Sequence, residues 1–169
     1  MKMISLMRHG DAPYNIRDDF NRILSNLGKE EVEKAAFYLN ANYKIDIVIS
    51  SDAPRAKETA NIIIRALNNK NIIHNLDHEI YKGLRSEILT EAISNNIYAS
   101  HILIIGHNPS ILECVSEILD KDSDDYNRVI GQSMRTSQII TLSIDNKMEG
   151  RYSFKLADIF DPSLSNLKI

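Results

Sequence analysis

The chain has 169 residues, of which 43% are hydrophobic and 25% charged, with a net charge of −3 and a pI near 5.9. That length supports a core without covalent staples, and the mild acidity gives no overall attraction to nucleic acid or an anionic membrane. No stretch is apolar enough for a signal peptide or a membrane span, so a cytoplasmic protein is expected.

No repeat, low-complexity stretch or linker divides the sequence, which reads as one domain over 1–169 with a loose tail from about 158. Met3 to Met7 is a short apolar run, hence a buried strand. A polar loop follows over 11–25. GKEEVEKAAFYLNAN (28–42) spaces Val32, Ala35, Ala36 and Leu39 as one helix face. IDIVISS (45–51) is a second buried strand, and Ala56, Ala60, Ile63, Ile64 and Leu67 form a second helical stripe opened by Pro54. NIIHNL (71–76) is a third strand, Ser86 to Ile97 a helix, and HILIIG (101–106) a fourth strand. Asn108-Pro109 has the pattern of a cap followed by proline at the first helical position, ahead of a face made by Ile111, Leu112, Val115, Ile118 and Leu119. Cys114, the one cysteine, falls among these as a core residue and excludes an internal disulfide. DKDSDDYNR (120–128) reads as a solvated loop. It lacks the glycine and terminal glutamate of an EF-hand. SQIITLSID and GRYSFKLA close the chain as a hairpin around the connector DNKMEG.

Apolar strands alternating with helices predict an α/β fold, a three-layer sandwich with a mostly parallel sheet covered on both faces. Ligands of such sheets bind beyond the carboxyl ends of the strands. Three of those ends carry chemistry: Arg8-His9-Gly10 after the first strand, Ser50-Ser51 leading to Arg55 after the second, and Gly106-His107-Asn108 after the fourth. Two arginines, two imidazoles and nearby helix N-termini suit a phosphoryl group. A neutral imidazole is a competent nucleophile towards phosphorus, and the other side chains would stabilise the charge of the transferring group. Phosphoryl transfer through histidine explains these residues best. No Gly-rich phosphate loop or nucleophile elbow supports a nucleotide-binding or serine-hydrolase reading.

In that pattern the chain resembles the histidine phosphatase superfamily, the phosphoglycerate mutase-like branch 1. MRHGDA (7–12) is similar to its first motif, SSDAPRAKETA (50–60) to its second, and LIIGHNP (103–109) to its second histidine motif. Within it, the compact length and the ending TSQIITLSID look most similar to SixA-type phosphohistidine phosphatases. The resemblance implies a metal-independent phosphatase without cofactor, in which His9 becomes phosphohistidine and Arg8, Arg55 and His107 bind the phosphate. Asn15 falls where many relatives outside the SixA group place an asparagine on the phosphate, Asn108 is a second substrate contact, and Thr59 supports Arg55. The implied substrate is a phosphohistidine on a phosphotransfer protein. A broad-specificity phosphatase of small phosphate esters and a non-catalytic phospho-ligand module are the alternatives.

Many superfamily members carry a glutamate after the third strand as proton donor. The fuller pattern is missing from LDHEIYKGLRSE (76–87), where Glu79 is the nearest candidate, with Asp11 and Glu87 behind it. An alkoxide leaving group needs such an acid, whereas the imidazole of a phosphoramidate can leave already protonated. His74 and His78 sit four apart in a strand-to-loop region, a spacing read as surface or loop rather than metal-binding. His101 is expected to be structural, and Arg135 and Thr136 to border the pocket.

Overall fold

The structure, a computed structural model, describes residues 2–15, 17–131, 133–146 and 152–165. Strand β1 (Lys2–Arg8) lies inside the sheet, with Ile4 to Met7 fully covered. It pairs in parallel with β4 (His101–Gly106) and antiparallel with β5 (Ile139–Asn146). Beyond β4 come β2 (Ile47–Ser50) and β3 (Ile73–Leu76), both parallel, and beyond β5 the antiparallel β6 (Tyr152–Phe160), giving the order β3-β2-β4-β1-β5-β6.

Alternation along each strand divides the core between the two sheet faces. Met7, Val48, Leu103 and Ile105 pack with α1 (Asn26–Asn42) and α2 (Pro54–Ala66). Ile4, Leu6, Ile49, Ile102 and Ile104 pack on the other face with α3 (His78–Lys82), α4 (Ser86–Asn95), α5 (Ser110–Ile118) and α6 (Asp124–Ile130). The three-layer α/β sandwich read from the sequence is therefore observed, with two antiparallel strands added to one side of a parallel set.

Several local readings change. Residues 124–130 form α6 rather than a solvated loop, because Ser123 accepts a hydrogen bond from Tyr126 N, two aspartates occupy the first turn, and Val129 is buried against the core. Five-residue α3 was too short to show a period. It starts on Asp77, whose side chain accepts from Glu79 N, and stops at Gly83, whose φ of 144° suits glycine. Helix α5 begins at Ser110 with Pro109 as its N-cap and no side-chain cap, so Asn108 does not cap it; the Asn108–Pro109 peptide is cis. Strand β6 runs to Phe160, pairing Asp158 to Phe160 with Thr141 to Ile139, so residues 158–160 belong to the sheet and not to a loose tail. The centre of the connector DNKMEG, 147–150, lies outside the described residues.

Candidate active site

Arg8 and His9 leave β1 at the centre of the sheet. The backbone there is fixed from both sides: His9 N donates to Gly106 O at 3.0 Å, and Arg8 N to Gln138 O at 3.1 Å. Arg55, in the first turn of α2, reaches under the tip of β1 and is 3% exposed. Its Nε donates to His9 Nε2 at 3.1 Å, and its Nη2 lies 3.3 Å from His107 Nδ1. The two imidazole centroids are 5.0 Å apart. Arg8, His9, Arg55 and His107 are thus brought together from three strand ends.

Both tautomers follow from the partners. His9 Nδ1 is 2.7 Å from Gly10 O, and a carbonyl oxygen only accepts, so Nδ1 carries the proton and Nε2 holds the lone pair. His107 accepts from Arg55 at Nδ1 and therefore donates from Nε2 to Ser51 Oγ at 2.9 Å. Burial pushes His9 down to about 3, aided by the nearby His107, Arg55 and Arg8 and opposed by the Gly10 hydrogen bond. His107 is pushed down to about 4, again chiefly by burial and then by Arg55. Both rings are neutral near pH 7.

A second layer braces these groups. Thr59 Oγ1 donates to Arg55 O at 2.8 Å and accepts from Gly10 N at 3.1 Å, locking α2 to the β1 tip. Arg8 Nη1 donates to Met134 O at 2.8 Å. Gly10 permits close packing, since a Cβ there would lie 2.7 Å from Val32 Cγ2 and 2.9 Å from Gly28 O. Its backbone is not in the left-handed region, so it is this close packing and not a positive φ that calls for glycine.

The loop over 11–25 contributes residues that its lack of periodicity concealed. Asp19 O accepts from Arg55 Nη1 at 2.7 Å, while Asp19 Oδ2 lies 3.3 Å from Arg55 Nη2 and accepts from Tyr81 Oη at 3.2 Å. Arg22 Nη2 pairs with Asp19 Oδ1 at 2.9 Å. Partial burial works to raise the Asp19 carboxyl, but Arg55, Arg22 and the Tyr81 hydroxyl outweigh it and hold Asp19 below the usual carboxylate value. Tyr81 also sets its ring edge-on to His107, centroids 5.5 Å apart. The one sequence signal for this layer was the Asp19–Arg22 spacing of three.

Other expected residues stay outside the cluster. Asn15 is exposed, and its Oδ1 accepts from Arg17 N in a local turn. Asn108 Nδ2 turns to Met134 O at 3.4 Å, the same carbonyl that holds Arg8. Glu79 is half-exposed and engaged by Lys82 at 2.6 Å and Arg85 at 3.6 Å, and the Lys82 hydrogen bond leads in holding it below its ordinary value. A general acid needs the opposite shift. Asp11 accepts from Ser25 Oγ at 2.6 Å at the start of α1, and Glu87 lies exposed in the first turn of α4. His74 contacts Ser50 Oγ at 2.9 Å and His78 pairs with Asp52 at 2.9 Å; no cluster suited to a metal ion occurs among the described residues. His101 is buried, 2.7 Å from Ser5 Oγ. Arg135 bonds Ser163 and Thr136 bonds Glu31, while the next residue, Ser137, donates its N–H to the carbonyls of Arg8 and His9. Among the described residues, no helix is long and apolar enough to cross a membrane.

The model of the histidine phosphatase superfamily (branch 1) matches residues 4–96. A protein histidine phosphatase SixA solved with tungstate is 21% identical, covers 95% of this chain and 97% of its own, and superposes with a TM-score of 0.78. Candidate SixA phosphohistidine phosphatases from Agrobacterium tumefaciens (24% identity, 95% and 98% coverage, TM-score 0.77) and Nakamurella multipartitia (22%, 95% and 96%, 0.79) have the same fold. No curated protein sequence matches the chain.

Proposed function

The chain belongs to the histidine phosphatase superfamily, branch 1, and from that premise we propose that it is a phosphatase working through a covalent phosphohistidine at His9. The observation that carries this reading is the neutral His9, with its Nε2 lone pair directed at the Arg55 guanidinium. His9 Nε2 exchanges its contact with Arg55 Nε for the entering phosphoryl group, attacks phosphorus and forms the N–P bond. The bond from phosphorus to the leaving group breaks, and that group takes the electron pair. Arg8, Arg55 and the His107 ring surround the transferring oxygens, where charge must be stabilised. Water then attacks phosphorus, the N–P bond breaks, and phosphate and neutral His9 are released. The mechanism assigns no step to a metal or cofactor.

The preferred substrate is a phosphohistidine on a phosphotransfer protein. Support comes from Glu79, whose carboxyl is exposed and ion-paired rather than poised to protonate an alkoxide. An imidazole protonated on its far nitrogen leaves as a neutral molecule and needs no such donor. The fold shared with SixA proteins agrees with this reading. The test is turnover, in EDTA, of a phosphohistidine protein, a phosphotyrosine peptide and sugar phosphates by wild type and His9→Ala. Wild type should turn over the phosphohistidine protein fastest, with an acid-labile phosphoryl label trapped on the enzyme, and His9→Ala should lose at least about a thousandfold. Activity that survives His9→Ala, or is abolished by EDTA, overturns the mechanism. A faster sugar phosphate overturns the substrate assignment, and binding without turnover would make the protein a phospho-ligand module.

A further inference from the structure

We propose that Asp19 is a specificity residue: its carboxylate, fixed beside Arg55, selects against phosphorylated substrates that carry a second negative charge near the phosphate. This inference rests on the phosphatase reading and names the class of leaving group its site accepts.

Three contacts hold Asp19 where a substituent on phosphorus must pass. Oδ2 lies 3.3 Å from Arg55 Nη2 and 3.2 Å from Tyr81 Oη, and Oδ1 lies 2.9 Å from Arg22 Nη2. Arg55 meets His9 through its Nε and Asp19 through its Nη atoms, so one guanidinium spans the distance from nucleophile to carboxylate. His9 is 4% exposed, whereas the Asp19 side chain is 47% exposed. In-line attack from the buried imidazole drives the leaving group outward, towards the half-exposed Asp19 and the Tyr81 ring.

Charge matching supplies the selection. At the cluster, Arg22 and Arg55 meet Asp19 while Arg8 feels Asp11, so three guanidiniums stand against two carboxylates with both imidazoles neutral. The positive surplus therefore matches one phosphoryl dianion at most. The groove of about 350 Å³ that continues past His107 and Tyr81 adds none, because its Lys82 and Arg85 are both engaged by Glu79 and Glu113 also lines it. A substrate carboxylate or second phosphate would meet Asp19, whose cationic partners Arg22 and Arg55 are already engaged with it. A neutral or cationic substituent, such as a protonated imidazole, meets an acceptor instead.

Methylphosphonate and phosphonoacetate carry the same non-hydrolysable phosphonate and differ by one carboxylate, so their relative affinity reads this selection without turnover. Each is titrated into wild type and Asp19→Asn while the His9 and His107 imidazole resonances are followed by NMR. Wild type should bind methylphosphonate more tightly, and Asp19→Asn should shift the ratio of affinities towards phosphonoacetate by about tenfold or more. Asp19→Ala should shift it the same way. A ratio unchanged in both variants overturns the proposal, and equal weakening of both ligands would make Asp19 a positioning residue for Arg55. If neither ligand perturbs either histidine in wild type, the phosphatase reading falls and the inference falls with it. If the ratio shifts as expected but a phosphohistidine protein is not turned over, the Asp19 selection stands and only that substrate assignment is lost.

Discussion

His9 donates to Gly10 O and accepts from Arg55 Nε, and each partner has only one role to offer, so two independent bonds hold the ring in a single tautomer. Burial then keeps a second proton off Nε2 at any ordinary pH. A pH–rate profile should therefore lack an acid limb near 6.5, the unshifted value of a histidine. With His9 lowered to about 3 and His107 to about 4, kcat/KM should stay level down to roughly pH 5, after allowance for the substrate's own phosphate ionisation. An enzyme-derived fall centred between pH 6 and 7 would contradict the buried, neutral pair. The four residues at the centre were legible because each stands at or directly after the end of a strand or in the first turn of a helix, within a recognisable motif. Ser51, which accepts from His107, and Asp19, which meets Arg55, were not. Their roles depend on where a side chain ends rather than on where its residue falls in the sequence.

At the scale of elements, the site depends on how closely α1 approaches the chain leaving β1. Ser25 caps the helix through Gly28 N and also donates to Asp11 Oδ2, so one hydroxyl ties the helix start to the active-site loop. Gly28 is the contact that allows this, because a Cβ there would collide with the backbone N and O of Asp11. Backbone cannot yield as a flexible side chain does. Gly28→Ala should therefore cost about 2 kcal/mol or more in urea unfolding, although alanine is the better helix former. It should also lower kcat/KM, since Asp11 leads directly from the Gly10 that Thr59 holds. A stabilised Gly28→Ala protein would contradict this account. In the sequence Gly28 marked only the start of a helical pattern, because its partner is Asp11, in the loop ahead of the helix. The short α3 and α6 were missed for a related reason. Five and seven residues show caps before they show a period, and Asp77 and Ser123 are those caps.

For the molecule as a whole, the alternation of apolar strands and helices made the layered sheet legible, while the antiparallel attachment of β5 and β6 to β1 came from tertiary pairing. That arrangement leaves β1 between β4 and β5, so the histidines just after β1 and at either end of β4 are enclosed by the sheet and its helices. His9, His101 and His107 are all neutral and all pushed down chiefly by burial, to about 3, 4 and 4. Well above pH 6.5, beyond about pH 8, these rings are neutral in both folded and unfolded chains and contribute no pH dependence. As pH falls below that value the unfolded chain takes up protons first, so stability drops until the folded values are reached. For His101 alone, the change from 6.5 to about 4 corresponds to about 3 kcal/mol, a large share of the roughly 5–15 kcal/mol that stabilises a typical domain. Glu31, raised chiefly by burial, works in the opposite direction, whereas His74, Asp19 and Glu79, all lowered, work in the same direction as the three rings. The urea midpoint should therefore fall steadily from pH 7 to pH 4. His101→Gln can still hydrogen-bond Ser5 but does not titrate, so it should flatten that fall even if it lowers the midpoint at pH 7. A wild-type midpoint that holds level down to pH 4 would show that these imidazoles are not buried as neutral groups, and the lone pair assigned to His9 would then lose its basis.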